Sequence, residues 1–307
     1  MTADKGEDEM KPVRIFFAVL ILGMLLASGM SLANAAAADT NWVWISSDSK
    51  YSKFYAPARV KVTNSIRLDD GKTVATEIQA WTKTEYSYEG AAETIKNYGI
   101  QTLLPNPARL KYSLALVQIN PQNRLLEYVQ EDFYDEQGNV IWSKIYNPRT
   151  IKEINSQAFD EDFYAFIVDT VFHQGEAART RAKERWHPLW SVTAGDGSAV
   201  SSIVDTSTMR LKAENLIFWE WVEEKDTKGT VREIKFMKKA VDLARGRQKV
   251  VAYKYWSPSG GWQDLTGTTD GKYVPIQPGT HEADGLRILR AFATGYHSWV
   301  TRYSLEC

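Results

Sequence analysis

Cysteine is all but missing. The only one among 307 residues is Cys307, so no intrachain disulfide can staple the fold, and a disulfide partner must come from another chain through that thiol. Histidine is scarce too. His173, His187, His281 and His297 are the only four, none pairs as H-x-x-x-H or H-x-H, and the ligand sets that transition metals require are not present. The formal net charge is only −1, which removes a global pull toward nucleic acid or anionic membrane. No Walker loop and no G-x-G-x-x-G occurs, so nucleotide cradles of those types are excluded. No cofactor is expected. Apolar runs are confined to residues 15–26, short of the roughly 20 residues of a spanning helix.

That one run has the anatomy of an export signal. Lys11 and Arg14 precede it, small residues follow, and Ala33-Asn34-Ala35 forms an A-x-A site. We expect a signal peptide over 1–35, cleavage after Ala35, and no membrane span in what remains. The expected location is the periplasm or the cell surface. Met10 offers a second start, because the acidic stretch Asp4–Glu9 is unusual for an n-region.

What the chain has in plenty is aromatic, with 11 Trp and 15 Tyr, side chains favoured in half-buried sheets and at contact surfaces. We also read it as written twice, with a repeat of about 120 residues. The first copy carries Tyr134-Asp135-Glu136-Gln137-Gly138-Asn139 and then Ile154-Asn155-Ser156. The second carries Trp256-Ser257-Pro258-Ser259-Gly260-Gly261-Trp262 and then Ile276-Gln277-Pro278. Each is followed by an amphipathic helix pattern. The expected domains are 41–173 and 186–307, joined by a helical linker over 174–185.

Within copy one, strand patterns surround Trp42–Ile45, Phe54, Val74–Lys83, Tyr112–Ile119, Leu125–Tyr134 and Val140–Ile145. Ser87–Tyr98 reads as an inserted helix stopped by Gly99. A closing helix presents Phe159, Phe163, Phe166, Ile167, Thr170 and Val171 on one stripe, with Ser156 as N-cap. In the linker, Arg179, Arg181, Lys183 and Arg185 read as a solvated face rather than a patch for an acidic partner. Copy two has strands at Trp186–Trp190, Leu216–Val222, Val231–Met237 and Lys249–Trp256. Its closing helix is capped by Thr280 and striped by Leu286, Leu289, Ala293 and Tyr296, and a strand-like tail runs over Trp299–Leu305. The fold class is therefore α+β: two tandem domains, each an antiparallel sheet whose C-terminal amphipathic helix covers one face.

At the level of these motifs the chain resembles the surface-adhesin protein E-like family of exported bacterial domains, twice over. In copy one the resemblance lies in Trp44-Ile45-Ser46-Ser47-Asp48, Tyr55, Trp81-Thr82-Lys83, the Tyr134–Val140 hairpin and Ile154. In copy two it lies in Trp190, Asp205, Trp221, Ala240–Ala244, the Tyr255–Trp262 hairpin and Ile276–Thr280. The resemblance implies a sheet with a docked helix, often tied by a disulfide. This chain has Pro121 and Leu243, Phe172 and Thr294 about where the family's cysteines would stand. It also implies, for some members, binding of host extracellular-matrix or serum proteins.

Catalytic arrangements find no support. Ser257–Gly261 is not a nucleophile elbow. The acid pairs Glu131/Asp132 and Glu223/Glu224 read as solvated strand ends, and Arg245, Arg247 and Lys249 as a solvated basic turn. Two functions remain: an exported non-enzymatic binding protein that contacts a host or envelope protein, with Trp256 and Trp262 as candidate contact residues, or an envelope accessory protein with no external ligand.

Overall fold

The computed structural model describes residues 41–306. The signal peptide expected over 1–35 and the thiol of Cys307 lie outside them. Among the described residues, no helix is long and apolar enough to cross a membrane.

The chain forms two sheets. The first contains β1 (Val43–Ser47), β2 (Tyr51–Tyr55), β3 (Lys61–Arg67), β4 (Thr73–Tyr86), β5 (Tyr112–Asn120), β6 (Leu125–Tyr134), β7 (Val140–Ile145) and β8 (Ile151–Glu153). The second contains β9 (Trp186–Thr193), β10 (Ala199–Lys212), β11 (Asn215–Lys225), β12 (Val231–Asp242), β13 (Arg247–Ser257), β14 (Gly261–Asp264) and β15 (Val274–Pro275). Five helices accompany them among the described residues: α1 (Tyr88–Asn97), α2 (Glu161–Val171), α3 (Gly175–Ala182), α4 (His281–Gly295) and α5 (His297–Val300).

Both sheets follow the same path. The first runs β1-β2-β4-β5-β6-β7, with β3 beside β4; the second runs β9 to β14 in chain order. In each, a short strand just before the closing helix pairs the next-to-last strand of the path, β8 on β6 and β15 on β13. The antiparallel sheets and the two-sheet layout expected from the sequence are both present.

By contact the chain divides into two compact units. Among the described residues, one comprises 41–59, Ala80–Val117 and Tyr128–Pro148; the other comprises Val60–Gln79, Gln118–Glu127 and 149–306. Their boundaries fall inside β4, β5 and β6.

In the first unit, α1 starts where the sequence places it, with Ser87 Oγ accepting the Gly90 N–H. Ala91 and Ile95 bury against Ile100, Leu104, Leu110 and Phe133. Gly90 is required here, because a Cβ would stand 2.3 Å from the Lys50 carbonyl oxygen. Glu131 and Asp132 are buried rather than solvated. Tyr98 and Tyr146 hydroxyls donate to Glu131 at 2.6 and 3.0 Å, while Gln130 and Ser143 donate to Asp132. Adjacent residues of a strand face opposite sides, so the two carboxylates do not converge into an acid pair.

In the second unit, Thr280 caps α4 by accepting the Ala283 N–H. Leu286, Leu289 and Phe292 of that helix share one apolar cluster with Leu189, Val204, Leu216, Phe218 and Val241 of β9 to β12. Each such side chain contributes about 1.5–3 kcal/mol by leaving water. Four expectations fail here. Tyr296 is exposed, and Phe292 takes the buried position. Trp299–Leu305 is not a strand: α5 and turns occupy it, fixed by Trp299 Nε1 donating to the Thr206 carbonyl at 2.9 Å. The buried face of α2 is Phe163, Tyr164, Ile167 and Val168, leaving Phe159 and Phe166 exposed. That helix begins at Glu161, without a Ser156 cap. Its rotation follows Tyr164, whose hydroxyl donates to the Pro121 carbonyl at 2.8 Å beneath the Arg124 guanidinium.

The linker residues form α3 with no buried residue. Two of the linker's basic residues are nevertheless engaged: Arg181 of α3 lies over the Tyr296 ring, and Arg185 beyond it bonds Asp205. The basic turn after β12 is likewise organised around a carboxylate. Asp242 accepts the Arg245 N–H at 3.0 Å, and Arg247 Nε at 2.9 Å. The Arg245 backbone and the two guanidinium groups hold Asp242 down at about 2, against an ordinary value of 3.8. A carboxyl depressed on folding stabilises the fold above its unfolded pKa, and the contribution disappears as pH falls through the folded one. The stability difference between the wild type and Asp242→Asn, read by urea denaturation, should be constant above pH ~5 and narrow from about 4 down to about 2. A difference that does not change over that range would show that the turn draws nothing from the carboxylate's charge.

Candidate functional site

β9, β11, β13 and β14 carry a row of indoles on the face opposite Leu216 and Phe218. Residues of a strand alternate sides, so Leu216, Phe218 and Val222 of β11 point one way and Trp219 and Trp221 the other. Trp221 sits directly across from Phe236 of β12, and Ile234 is across from Trp256 of β13. Trp256 is in turn the register partner of Trp262 on β14. Directly opposed residues share a face, so the two candidate tryptophans of the Ser257–Gly261 hairpin stand together.

The rings then extend the row. Trp219 stacks on Phe236 at 4.5 Å and is buried. Trp221 meets Phe236 edge-on at 5.7 Å, Trp262 at 5.8 Å and Trp186 of β9 at 6.4 Å. These are the edge-to-face separations that aromatic quadrupoles favour. β12 and β13 lie between β11 and β14, a span of about 14 Å at about 4.8 Å per strand. Contact of Trp221 with Trp262 therefore requires the edge hairpin to curl toward the face while the rings lean together.

Exposure separates the roles. Trp186 and Trp262 are 39% and 45% exposed, Trp221 and Trp256 are half-buried, and Phe236 and Trp219 form the floor. Trp221 is steadied by its Nε1, 3.5 Å from Glu223, whose other oxygen pairs with Lys225 at 2.7 Å. At the Trp186 end, the Arg185 guanidinium lies 5.6 Å over the ring. Burial lowers the affinity of that guanidinium for its proton, but the Asp205 and Glu161 carboxylates more than offset this and hold its pKa above the ordinary value.

The sequence located Trp256 and Trp262 from their places about one hairpin, but not Trp186 and Trp221, which join the row through non-local pairing. The expected alternation around Trp219 and Trp221 was the available signal. His187 packs on Phe292, and His281 stacks on Trp190. Among the described residues, no group of three or more His, Cys, Asp or Glu is placed to hold a metal ion. The arrangement offers packed indole edges interleaved with charged residues of the same face, Lys238, Lys254, Asp264 and Glu223. Comparison with known proteins returns no matching family model and no matching curated protein.

Proposed function

We propose that the chain is an exported, non-enzymatic binding protein of the bacterial cell envelope, similar in kind to surface-adhesin protein E-like proteins, and that the indole row is its contact surface for a host or matrix protein. The observation that carries this reading is the continuous set Trp186, Trp221 and Trp262, exposed at both ends and rigid at its centre. Tryptophan is enriched among the residues that dominate interface energies, and rings already packed lose little freedom on binding. In this reading each closing helix covers one face of its own sheet. The cluster shared by α4 and β9 to β12 supports that for the second copy, and on the opposite face Trp186 and Trp262 keep part of their surface exposed.

Surface plasmon resonance against immobilised extracellular-matrix and serum proteins tests the proposal. Trp262→Ala and Trp186→Ala should each weaken binding at least tenfold, since truncating such an anchor costs about 2 kcal/mol. A partner bound equally well by both variants would move the site elsewhere, and failure of every such protein to bind would end the adhesin reading.

The burial of Trp219 and Trp299 favours a second reading, an envelope accessory protein with no external ligand. A membrane-impermeant maleimide directed at Cys307 separates the two. Labelling of intact cells fits a surface protein, and labelling only after permeabilisation fits the accessory role.

A further inference from the structure

The second unit contains a cavity of about 280 Å³, at the small end of the usual range for ligand sites, about 300–1,000 Å³. Its apolar walls are Leu125 of β6, Ile217 of β11, Val300 of α5 and Leu305 beyond it. Lys238 and Glu153 also line it and neutralise each other, with Nζ 2.7 Å from Oε1. The remaining buried charge is Arg210 on β10.

Arg210 is placed unlike the other basic groups nearby. Arg124 and Arg185 both reach the Glu161 carboxylate, and Arg185 also reaches Asp205. Arg210 Nη1 donates to a neutral acceptor, the Gln122 carbonyl, at 2.6 Å, and its Nε is sealed from solvent with no acceptor. The residue as a whole is only half-buried, because part of its side chain borders the cavity. Burial, reinforced by the like charges of Arg124 and Arg302 and opposed by Tyr164 and the Glu153 carboxylate, pushes its pKa down to about 10, so it remains protonated at neutral pH. Among the described residues no carboxylate hydrogen-bonds this guanidinium; Glu153 acts on it only at a distance and is already paired with Lys238, so Arg210 lacks the contacting counter-charge that ordinarily accompanies such a group.

We propose that this cavity binds a small carboxylate with an apolar body, the carboxylate pairing with Arg210 and the body lying against Leu125, Ile217, Val300 and Leu305. A guanidinium pairs a carboxylate through charge-assisted N–H donors. Lys212 and Glu306 also line the cavity but are exposed, so the guanidinium beside apolar side chains is the inner cation, and it suits a monoanion with a hydrocarbon chain better than a fully hydrated dianion. The site is distinct from the indole row and stands whether or not that row binds a protein.

Isothermal titration of the full protein with straight-chain carboxylates from acetate to octanoate tests the proposal, with 1-hexanol and inorganic phosphate as controls. Affinity should rise about fourfold per added methylene until the cavity is filled. Hexanol and phosphate should bind at least tenfold more weakly than hexanoate. Arg210→Met should lose hexanoate binding. Because that variant removes a half-buried side chain, Ile217→Phe serves as the second test: it fills the cavity, leaves the cation in place and should also abolish binding. The proposal is overturned if no carboxylate in the series saturates, if hexanol or phosphate matches hexanoate, or if a folded Arg210→Met or Ile217→Phe protein binds hexanoate as the wild type does.

Discussion

Asp205→Ala should cost about 3–5 kcal/mol of stability, the range for removing one partner of a buried ion pair. Asp205 is 0% exposed. Arg185 grips it with two donors, Nε to Oδ1 at 3.0 Å and Nη2 to Oδ2 at 2.7 Å. The Ser207 N–H and hydroxyl donate to the same Oδ1, at 3.0 and 2.6 Å. Alanine strands three donor groups at once. Asp205→Asn retains one acceptor oxygen of the same shape and should cost less than half as much. Arg185 keeps Glu161 at 2.6 Å, which is why the loss should stay within this range. Urea denaturation followed by tryptophan fluorescence measures both variants, and a cost below about 1 kcal/mol for the alanine would show that Glu161 suffices for Arg185.

Lys239→Met should be as damaging, for the opposite charge. Glu220 of β11 and Lys239 of β12 are both buried on the α4 side of the second sheet. Nζ stands 2.5 Å from Oε2, an ion pair rather than a well-directed hydrogen bond, while the Ser202 hydroxyl donates to Oε1 at 2.5 Å. Methionine fits the lysine's volume but leaves a carboxylate in an apolar layer, at a cost of about 3–5 kcal/mol. The double variant Lys239→Met/Glu220→Gln removes both charges and keeps an acceptor for Ser202. It should recover at least half of the loss. If the double variant is as unstable as the single, the damage lies in packing and not in the stranded charge.

These two sites show where the chain can be read and where it cannot. Turns were legible because their chemistry is local. Asp135 accepts the N–H groups of Gln137 and Asn139, and Asp226 those of Lys228 and Thr230. Helix starts at Ser87 and Thr280 were legible for the same reason. β10 was not, because polar Ser201, Ser202, Asp205, Thr206, Ser207 and Thr208 break the apolar alternation that marks a strand. Pairing on both sides with β9 and β11 buries several of those polar groups and overrides their weak strand preference. The tail from Trp299 alternates like a strand, yet carbonyls near residue 207 draw Trp299 and Arg302 into a helical turn. In the indole row, the sequence could offer the hairpin pair Trp256 and Trp262, since one loop relates them. It could not offer Trp186, which reaches the row from the far side of β10. Nor could it offer the cavity cation, whose partner carbonyl at Gln122 lies 88 residues away.

The path of the second sheet has a consequence for the order of events in folding. From β9 to β14 each strand lies beside its neighbour in sequence, so each pairing closes only a short loop and demands little chain entropy. Trp299, by contrast, must find Thr206 across 93 residues. A chain emerging N-terminus first can complete all six strands before α4 and α5 exist. Until those helices arrive, one whole apolar face, Leu216, Phe218 and Val241 included, stands open to any companion that holds unfinished proteins.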